Sequence, residues 1–458
     1  MVNKQLKVVI VGTGYVGLTT GVCLAYLGHR VTCVDVNEKI ISELNKGKPT
    51  IHEPGMEELM MLARNNLVFS FSLKEAMPEA DIVVIAVGTP SKNNGDADIS
   101  AVERVAEEIG AILNSDSPLV IVNKSTVPIG SARRVETVVK AKLERRNVEC
   151  NFFVASNPEF LREGAAIRDT LYPDRIVVGF ESAQAFNILG QLYNPILKQT
   201  FEPPAFIPRP AEYKCPSFIA TNPTSAELIK YAANSFLAMK ISFINEFAGL
   251  AERVGADIKE VAQGIGLDKR IGLDYLQAGL GWGGSCFGKD TRAISYTASQ
   301  YGYKMELVQS SIDVNYRQRM VAVEKLQRAL KVLRGSIIGI LGLSFKPNTD
   351  DLRDAPSVDI INKLIELGAR VRVFDPVAMP NFQRQYKNMA VEYCEDVITL
   401  SIDCDALVLV TEWHDFAKID WGLISRNMRQ KIIVDGRNFV KNEELEKIGF
   451  NYLGMGRF

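Results

Sequence analysis

Histidine is scarce in this 458-residue chain, with only His29, His52 and His414 present. A multi-histidine metal centre is therefore not expected, and no metal is predicted. The seven cysteines include no Cys-x-x-Cys pair, which argues against a cysteine zinc site and against a disulfide framework. Unpaired cysteine usage of this kind favours a reducing compartment, so a cytoplasmic location is expected. The formal net charge is only −1, so neither nucleic acid nor an anionic membrane surface is an expected partner. No run of about 18 uninterrupted apolar residues occurs, so no transmembrane helix is predicted. The early apolar stretch behind Lys4 and Lys7 is interrupted by Gly12, Gly14 and Gly17, and reads as strand, turn and helix rather than as a signal peptide.

What is present points to an enzyme. The length calls for two or three domains. Residues 7–11 read as a buried parallel strand, followed at once by Gly12-Thr-Gly-Tyr-Val-Gly17, a helical stretch to Leu27, a second strand over 30–34 and then Asp35. Strand, G-x-G-x-x-G, helix, strand and acid within about thirty residues is the dinucleotide-binding arrangement. The glycines allow the turn and close approach of pyrophosphate to the helix N-terminus. Asp35 suits the ribose hydroxyls, so NAD is expected over NADP. The alternation continues, with strands near 81–87, 119–123, 152–155 and 175–179. Polar residues gather at the strand ends, in Gly88-Thr89-Pro90, Lys124-Ser-Thr126-Val-Pro128 and residues 156–164. Ligands of open α/β sheets bind there.

Residues 203–223 are rich in proline and aperiodic, and read as a surface excursion or linker. Long helices are expected over 224–254 and 307–333; Lys230 and Asn234 lie four apart on the first and share a face. Residues 336–375 repeat the first plan: strand, Gly339-x-x-Gly342, helix, strand, Asp375. The full glycine fingerprint is lost there, and Lys346, Arg353 and Arg437 lie in loops suited to phosphate. The expected fold is α/β, with two Rossmann-like doubly wound parallel-sheet domains joined by a central region of long helices. The expected spans are 1–202 for NAD, 203–333 for the helices and 334–458 for the second Rossmann-like domain.

Residues 279–290 read Gly-Leu-Gly-Trp-Gly-Gly-Ser-Cys-Phe-Gly-Lys-Asp. Four glycines in six residues build no core; they serve positive φ or close backbone approach. Cys286 follows, with Lys289 and Asp290 behind it and a helix expected over 291–300. A cysteine near a helix N-terminus and a lysine is set up as a thiolate nucleophile.

On residues 12–17, 124–128, 157–164, 225–240, 270–272, 281–290 and 345–356, the chain resembles the UDP-glucose/GDP-mannose dehydrogenase family, on its UDP-glucose side, over essentially its whole length. That resemblance implies a four-electron oxidation of a sugar C6 alcohol to a carboxylate, with two NAD⁺ consumed. It assigns Cys286 as nucleophile and Lys230 with Asn234 as oxyanion stabilisers. Asp290, Thr126 and Glu163 orient or activate water. Tyr15, Val16, Asp35, Thr89, Thr126, Glu163, Lys289 and Arg353 are implied cofactor contacts. Lys39 joins them, although it lies four positions after Asp35 where the family's basic residue lies about five on. Glu159, Phe160, Leu161 and Glu163 are implied to line the UDP-glucose substrate, as are Lys230, Asn234, Tyr275, Leu276, Gln277, Ala278, Gly279 and Gly283. Phe345, Lys346 and Arg437 meet the diphosphate or sugar. Arg270 is implied to reach a partner subunit's site, which makes a homodimer or larger assembly the expected state. The alternatives are the same chemistry on another nucleotide sugar, a two-electron β-hydroxyacid dehydrogenase, and an NAD-binding scaffold without catalysis.

Overall fold

A computed structural model describes residues 5–114 and 117–457. The chain divides into two compact units, residues 1–232 and 233–458.

The first unit holds an eight-stranded sheet: β1 (Lys7–Val11), β2 (Arg30–Val34), β3 (Leu67–Ser70), β4 (Ile82–Ile85), β5 (Leu119–Asn123), β6 (Phe152–Ser156), β7 (Arg175–Gly179) and β8 (Ser217–Thr221). Their order is β3-β2-β1-β4-β5-β6-β7-β8. The strands are short continuous apolar runs, such as Ile-Val-Val-Ile in β4, because helices cover both faces of the sheet. Every side chain of β4 and β5 is buried. At roughly 1.5–3 kcal/mol per fully buried aliphatic side chain, such strands anchor the unit. The order reverses between β1 and β4, and this switch point opens a crevice at the carboxyl ends of those strands.

Two features depart from the sequence reading. The sheet is not wholly parallel, because β7 runs antiparallel to β6. The proline-rich stretch 203–223 is not only an excursion, because it contains β8, which pairs with β7 over five positions. β8 lies at the sheet edge with most of its side chains exposed, so it carries no apolar alternation to betray it.

The second unit ends in a six-stranded, all-parallel sheet: β9 (Ile337–Leu341), β10 (Arg370–Phe374), β11 (Val391–Tyr393), β12 (Ala406–Leu409), β13 (Ile432–Asp435) and β14 (Asn451–Gly454). Its order, β11-β10-β9-β12-β13-β14, repeats that of the first six strands. Before it come the helices Ile258–Gly266, Phe287–Gln300 and Glu306–Leu330. The 32-residue helix Pro223–Val254 starts in the first unit and continues in the second.

Candidate active site

The turn after β1 is held by its glycines and by Asp35. Gly12 has φ of +98° and packs where a β-carbon would meet the Ala86 carbonyl, while at Gly17 a β-carbon would collide with the carbonyl of Gly12. Gly14 differs: a β-carbon there would meet nothing within 4 Å. It caps the helix Tyr15–Tyr26 without any side-chain hydrogen bond, and a helix start with no side-chain cap is the arrangement that takes a phosphate. Asp35 accepts hydrogen bonds from Thr13 N (2.9 Å), Thr13 Oγ1 (2.8 Å) and Asn37 N (3.0 Å). With about four lone-pair directions, its half-buried carboxylate keeps acceptor capacity for a further donor. These residues fit an NAD pyrophosphate and ribose. Tyr15 donates its hydroxyl to the His52 carbonyl (2.8 Å), Val16 is half-buried against the sheet core, and Lys39 is exposed on the helix Glu38–Asn45.

Across the switch point, Thr89 Oγ1 donates to the carbonyl of Thr126 (2.7 Å), joining the loops after β4 and β5. The loop after β6 carries Glu159, Phe160, Leu161 and Glu163. Glu159 accepts from the Lys230 ammonium (2.8 Å) on one oxygen and from Leu161 N (2.8 Å) on the other. Both charged side chains are almost completely buried. Lys230 Nζ also lies 5.5 Å from the Phe160 ring centroid, and Arg175 stacks on that ring at 3.9 Å. Glu163 is buried as well.

Two further carboxylates fix these loops. Glu227, one turn before Lys230, accepts from Gly130 N (2.6 Å), Ala132 N (2.9 Å) and Ser156 Oγ (3.1 Å). Burial pushes its carboxyl above the usual range, against the pull of those donors. Glu53 accepts from Gly164 N (2.6 Å) and Ala166 N (2.7 Å). Sequence reasoning missed both, since each acts on residues about a hundred positions away in the chain.

In the second unit Cys286 is the N-cap residue of the helix Phe287–Gln300, which starts one turn earlier than its sequence pattern suggests. Its thiol is half-buried, 3.4 Å from Ser285 Oγ. Asp290, fully buried one turn on, donates its backbone N–H to the Cys286 carbonyl (2.8 Å) and accepts from Asn234 Nδ2 (2.6 Å). Lys289 Nζ lies 2.7 Å from the other Asp290 oxygen. Lys289, Asp290 and Asn234 thus form one side-chain group, joined to Cys286 through the helix backbone.

The glycine loop ahead of Cys286 is gripped by its backbone. Gly279 N donates to Asn245 Oδ1 (2.8 Å), and Gln318 Nε2 donates to the Gly279 carbonyl (2.8 Å). Trp282 N donates to Asn315 Oδ1 (2.7 Å), and Asn315 Nδ2 returns a bond to the Trp282 carbonyl (3.0 Å). Arg319 reaches that carbonyl too (2.9 Å), and pairs with Asp354 (2.8 Å) and Asp359 (2.6 Å). Arg437 donates to the carbonyls of Gly281 (3.1 Å), Val410 (2.8 Å) and Phe345 (3.3 Å). Gly283 packs against the Asp354 backbone and Gly284 against the Phe345 ring, where no larger residue fits. Asn315, Gln318 and Arg319 are buried polar residues of the helix Glu306–Leu330. Their one signal in sequence is polarity at core-facing helical spacing.

The remaining expected contacts are spread more widely. Arg353 gives its carbonyl to Gly284 N (2.8 Å), while its half-exposed guanidinium pairs with Asp351 (2.7 Å). Lys346 lies 5.4 Å from the Phe345 ring centroid. Tyr275 has φ of +65°. Leu276 and Ala278 are buried in a small core with Ile244 and Ala248, and Gln277 is exposed. Arg270 is 89% exposed and bound to the adjacent Asp268.

Residues 6–197 match the NAD binding domain of the UDP-glucose/GDP-mannose dehydrogenase family, residues 224–317 its central domain and residues 339–442 its UDP binding domain. The chain is 42% identical to the UDP-glucose 6-dehydrogenase TuaD of Bacillus subtilis, over 98% of this chain and 93% of that protein. It is 43% identical to a UDP-glucose 6-dehydrogenase of Rhizobium meliloti, over 99% of this chain and 100% of that protein. Among solved structures, a UDP-glucose dehydrogenase from Pyrobaculum islandicum superposes with a TM-score of 0.88 at 38% identity, covering 100% of this chain and 99% of that one. A nucleotide-binding turn, a loop-borne thiol and matches in all three segments lead to one conclusion: the chain belongs to the UDP-glucose/GDP-mannose dehydrogenase family.

Proposed function

We propose that this protein oxidises UDP-glucose to UDP-glucuronate, with two NAD⁺ reduced per sugar. The observation that carries this reading is Cys286 at a helix N-terminus, its carbonyl bonded to the backbone of Asp290 in the Lys289–Asp290–Asn234 group. Removing one hydride from an alcohol needs no thiol, whereas making an acid benefits from one. NAD⁺ supplies the hydride acceptor. The C6 alcohol loses its hydroxyl proton and a first hydride to become an aldehyde, and the Cys286 thiolate adds to that carbon, forming a C–S bond and an oxyanion. Loss of hydride from that carbon leaves a thioester, and water then attacks it, releasing the thiolate and the carboxylate.

Lys230, held by Glu159, supplies positive charge for the C6 oxygen, and Asn234 supplies a donor. Asp290, held by Asn234, orients the hydrolytic water, with Thr126 and Glu163 as further polar contacts. The UDP moiety is assigned to the strand-end loops of the second sheet, with Phe345, Lys346 and Arg437, and to the backbone of Tyr275, Gly279 and Gly283.

A homodimer or larger assembly is part of this reading. Phe236, Phe243, Phe247, Leu250 and Val254 are exposed along the helix Pro223–Val254, and Arg270, though paired with Asp268, is exposed where a second copy could reach it. A cytoplasmic setting is favoured by seven unbridged cysteines and by the absence, among the described residues, of any helix long and apolar enough to cross a membrane.

NADH stoichiometry with purified protein tests the reading. Two NADH per UDP-glucose are expected, with a higher kcat/KM than for UDP-N-acetylglucosamine or GDP-mannose. One NADH per sugar, or a released aldehyde, would refute it.

A further inference from the structure

Residues 51–55, Ile-His-Glu-Pro-Gly, lie between the helices Glu38–Asn45 and Met56–Ala63 and form neither helix nor strand. This short segment touches three separate parts of the first unit. The His52 carbonyl accepts from the hydroxyl of Tyr15 (2.8 Å), the first residue of the helix that follows the dinucleotide glycines. Glu53, next along, is buried and accepts from Gly164 N (2.6 Å) on one oxygen and from Ala166 N (2.7 Å) on the other. Gly55 packs on Phe206 of the proline-rich stretch, where a β-carbon would lie 2.7 Å from the ring. The segment is pinned on either side of Glu53, which fixes the carboxylate between.

The grip of Glu53 falls on one side of Glu163. On the other side, Asp169 accepts from Arg162 N (2.8 Å) and pairs with the Arg162 guanidinium (2.7 Å). The backbone N–H groups before and after Glu163 are therefore each held by a carboxylate, and Glu163 is itself buried between them. Such bonds to an ionised acceptor are roughly twice as strong as neutral ones.

We propose that Glu53 is a positioning residue: by holding the Gly164 and Ala166 N–H groups it sets the Glu163 carboxylate where the hydrolytic water needs it. The inference rests on the assignment of Glu163 to that water. Misplacing such a group by about 1 Å costs on the order of a hundredfold in rate. Glutamine at position 53 would keep one acceptor oxygen, lose the charge and turn an NH₂ group toward the second N–H, donor against donor. The loop is then released on one side of Glu163 only. Both hydride transfers precede the attack of that water, so they proceed and the thioester accumulates.

The test is pre-steady-state and steady-state NADH formation by the full-length enzyme with UDP-glucose and NAD⁺. The unaltered enzyme must first release two NADH per sugar; failure there removes the functional reading itself. Glu53→Gln should form two NADH per active site in a burst at the wild-type rate and then turn over about tenfold more slowly, with sugar mass retained on Cys286. Its kcat and KM for UDP-glucose should fall together, leaving kcat/KM within about twofold, because the slowed step follows the first hydride transfer. A smaller burst with an unchanged rate per active site is what lost stability alone would give, and it overturns the proposal. Glu163→Gln should show the same slow phase, and the double variant should be no slower than Glu163→Gln alone, because Glu53 acts through that residue. Effects that multiply in the double variant refute the proposal, as does Glu163→Gln with wild-type kcat. Should Glu53→Gln fail to fold, Glu53→Asp, which keeps the charge but is too short to serve both N–H groups, is read by the same burst and the same double variant.

Discussion

The two sheets share one strand order, yet their first turns are finished differently. In the first unit the acid after the second strand, Asp35, is half-buried and accepts three hydrogen bonds. In the second, Asp375 is buried and accepts from Leu343 N, Ser344 N, Ser344 Oγ, Trp413 Nε1, Val377 N and Ala378 N. Asp375 has no acceptor capacity left for a ribose. The glycines diverge likewise. Gly12 (φ +98°) and Gly342 (φ +92°) are both closed in, but two positions on, Gly14 faces open space where the second turn has Ser344, whose hydroxyl donates to Asp375. One architecture is thus left open at the switch point in the first copy and sealed by its own side chains in the second. A nucleotide on the second sheet must be held by other loops, such as those of Phe345 and Arg437.

The sharpest way to separate the units is chemical. Cys286→Ser should reduce two-NADH turnover by about a thousandfold or more while leaving NAD⁺ affinity unchanged, because the dinucleotide turn lies wholly in the first unit. Stopped-flow NADH formation and a cofactor titration check both halves. Next come the paired acids. Asp375→Asn should cost about 2–4 kcal/mol of stability in denaturant melts, since a carboxylate serving six donors is replaced. Asp35→Asn should cost less stability and weaken NAD⁺ binding instead. Equal losses from the two would break the comparison. A third contrast is between glycines. Gly342→Ala places a β-carbon against Thr411 at positive φ and should cost at least about 1–3 kcal/mol. Gly14→Ala, at φ of −73° with nothing near, should leave melting unchanged and raise the NAD⁺ Kd.

The smallest effect concerns acid. His29 is buried in the first unit between Leu6 N (3.3 Å) and the Leu192 carbonyl (3.0 Å), and burial holds its imidazole below the ordinary value. The folded state then binds fewer protons than the unfolded one. Stability conferred by neutral His29 is complete above about pH 6.5 and is lost as pH falls from there through its depressed folded value. The second unit's histidine, His414, is exposed. Hydrogen exchange at pH 7 and 5.5 should therefore show a larger loss of protection in the first sheet than in the second.

Much of this was readable in the chain because it is local. A glycine fingerprint, an acid at a strand end and a cysteine behind a glycine run depend on backbone geometry within a few residues. The repeat of the Rossmann plan was readable because buried parallel strands are continuous apolar runs. What escaped depends on distant partners. β8 is defined by pairing with β7, not by its own alternation. Glu227, Glu53, Asn315 and Arg319 are ordinary polar residues until folding places them on backbone groups far along the chain. Lys124 lies in a strand-end motif legible in the chain, but its neighbours Asn157 and Tyr193 come from other elements.

Gly281 and Asn315 bear on how such a chain can vary. The amide oxygen of Asn315 occupies the space that a β-carbon on residue 281 would take, and the same amide binds the backbone of Trp282. Neither position can drift alone: any side chain at 281 evicts the amide, and a shorter residue at 315 frees the loop. Among homologous sequences the two positions should change together or not at all, and a chain with alanine at 281 beside an intact asparagine at 315 would be the informative exception.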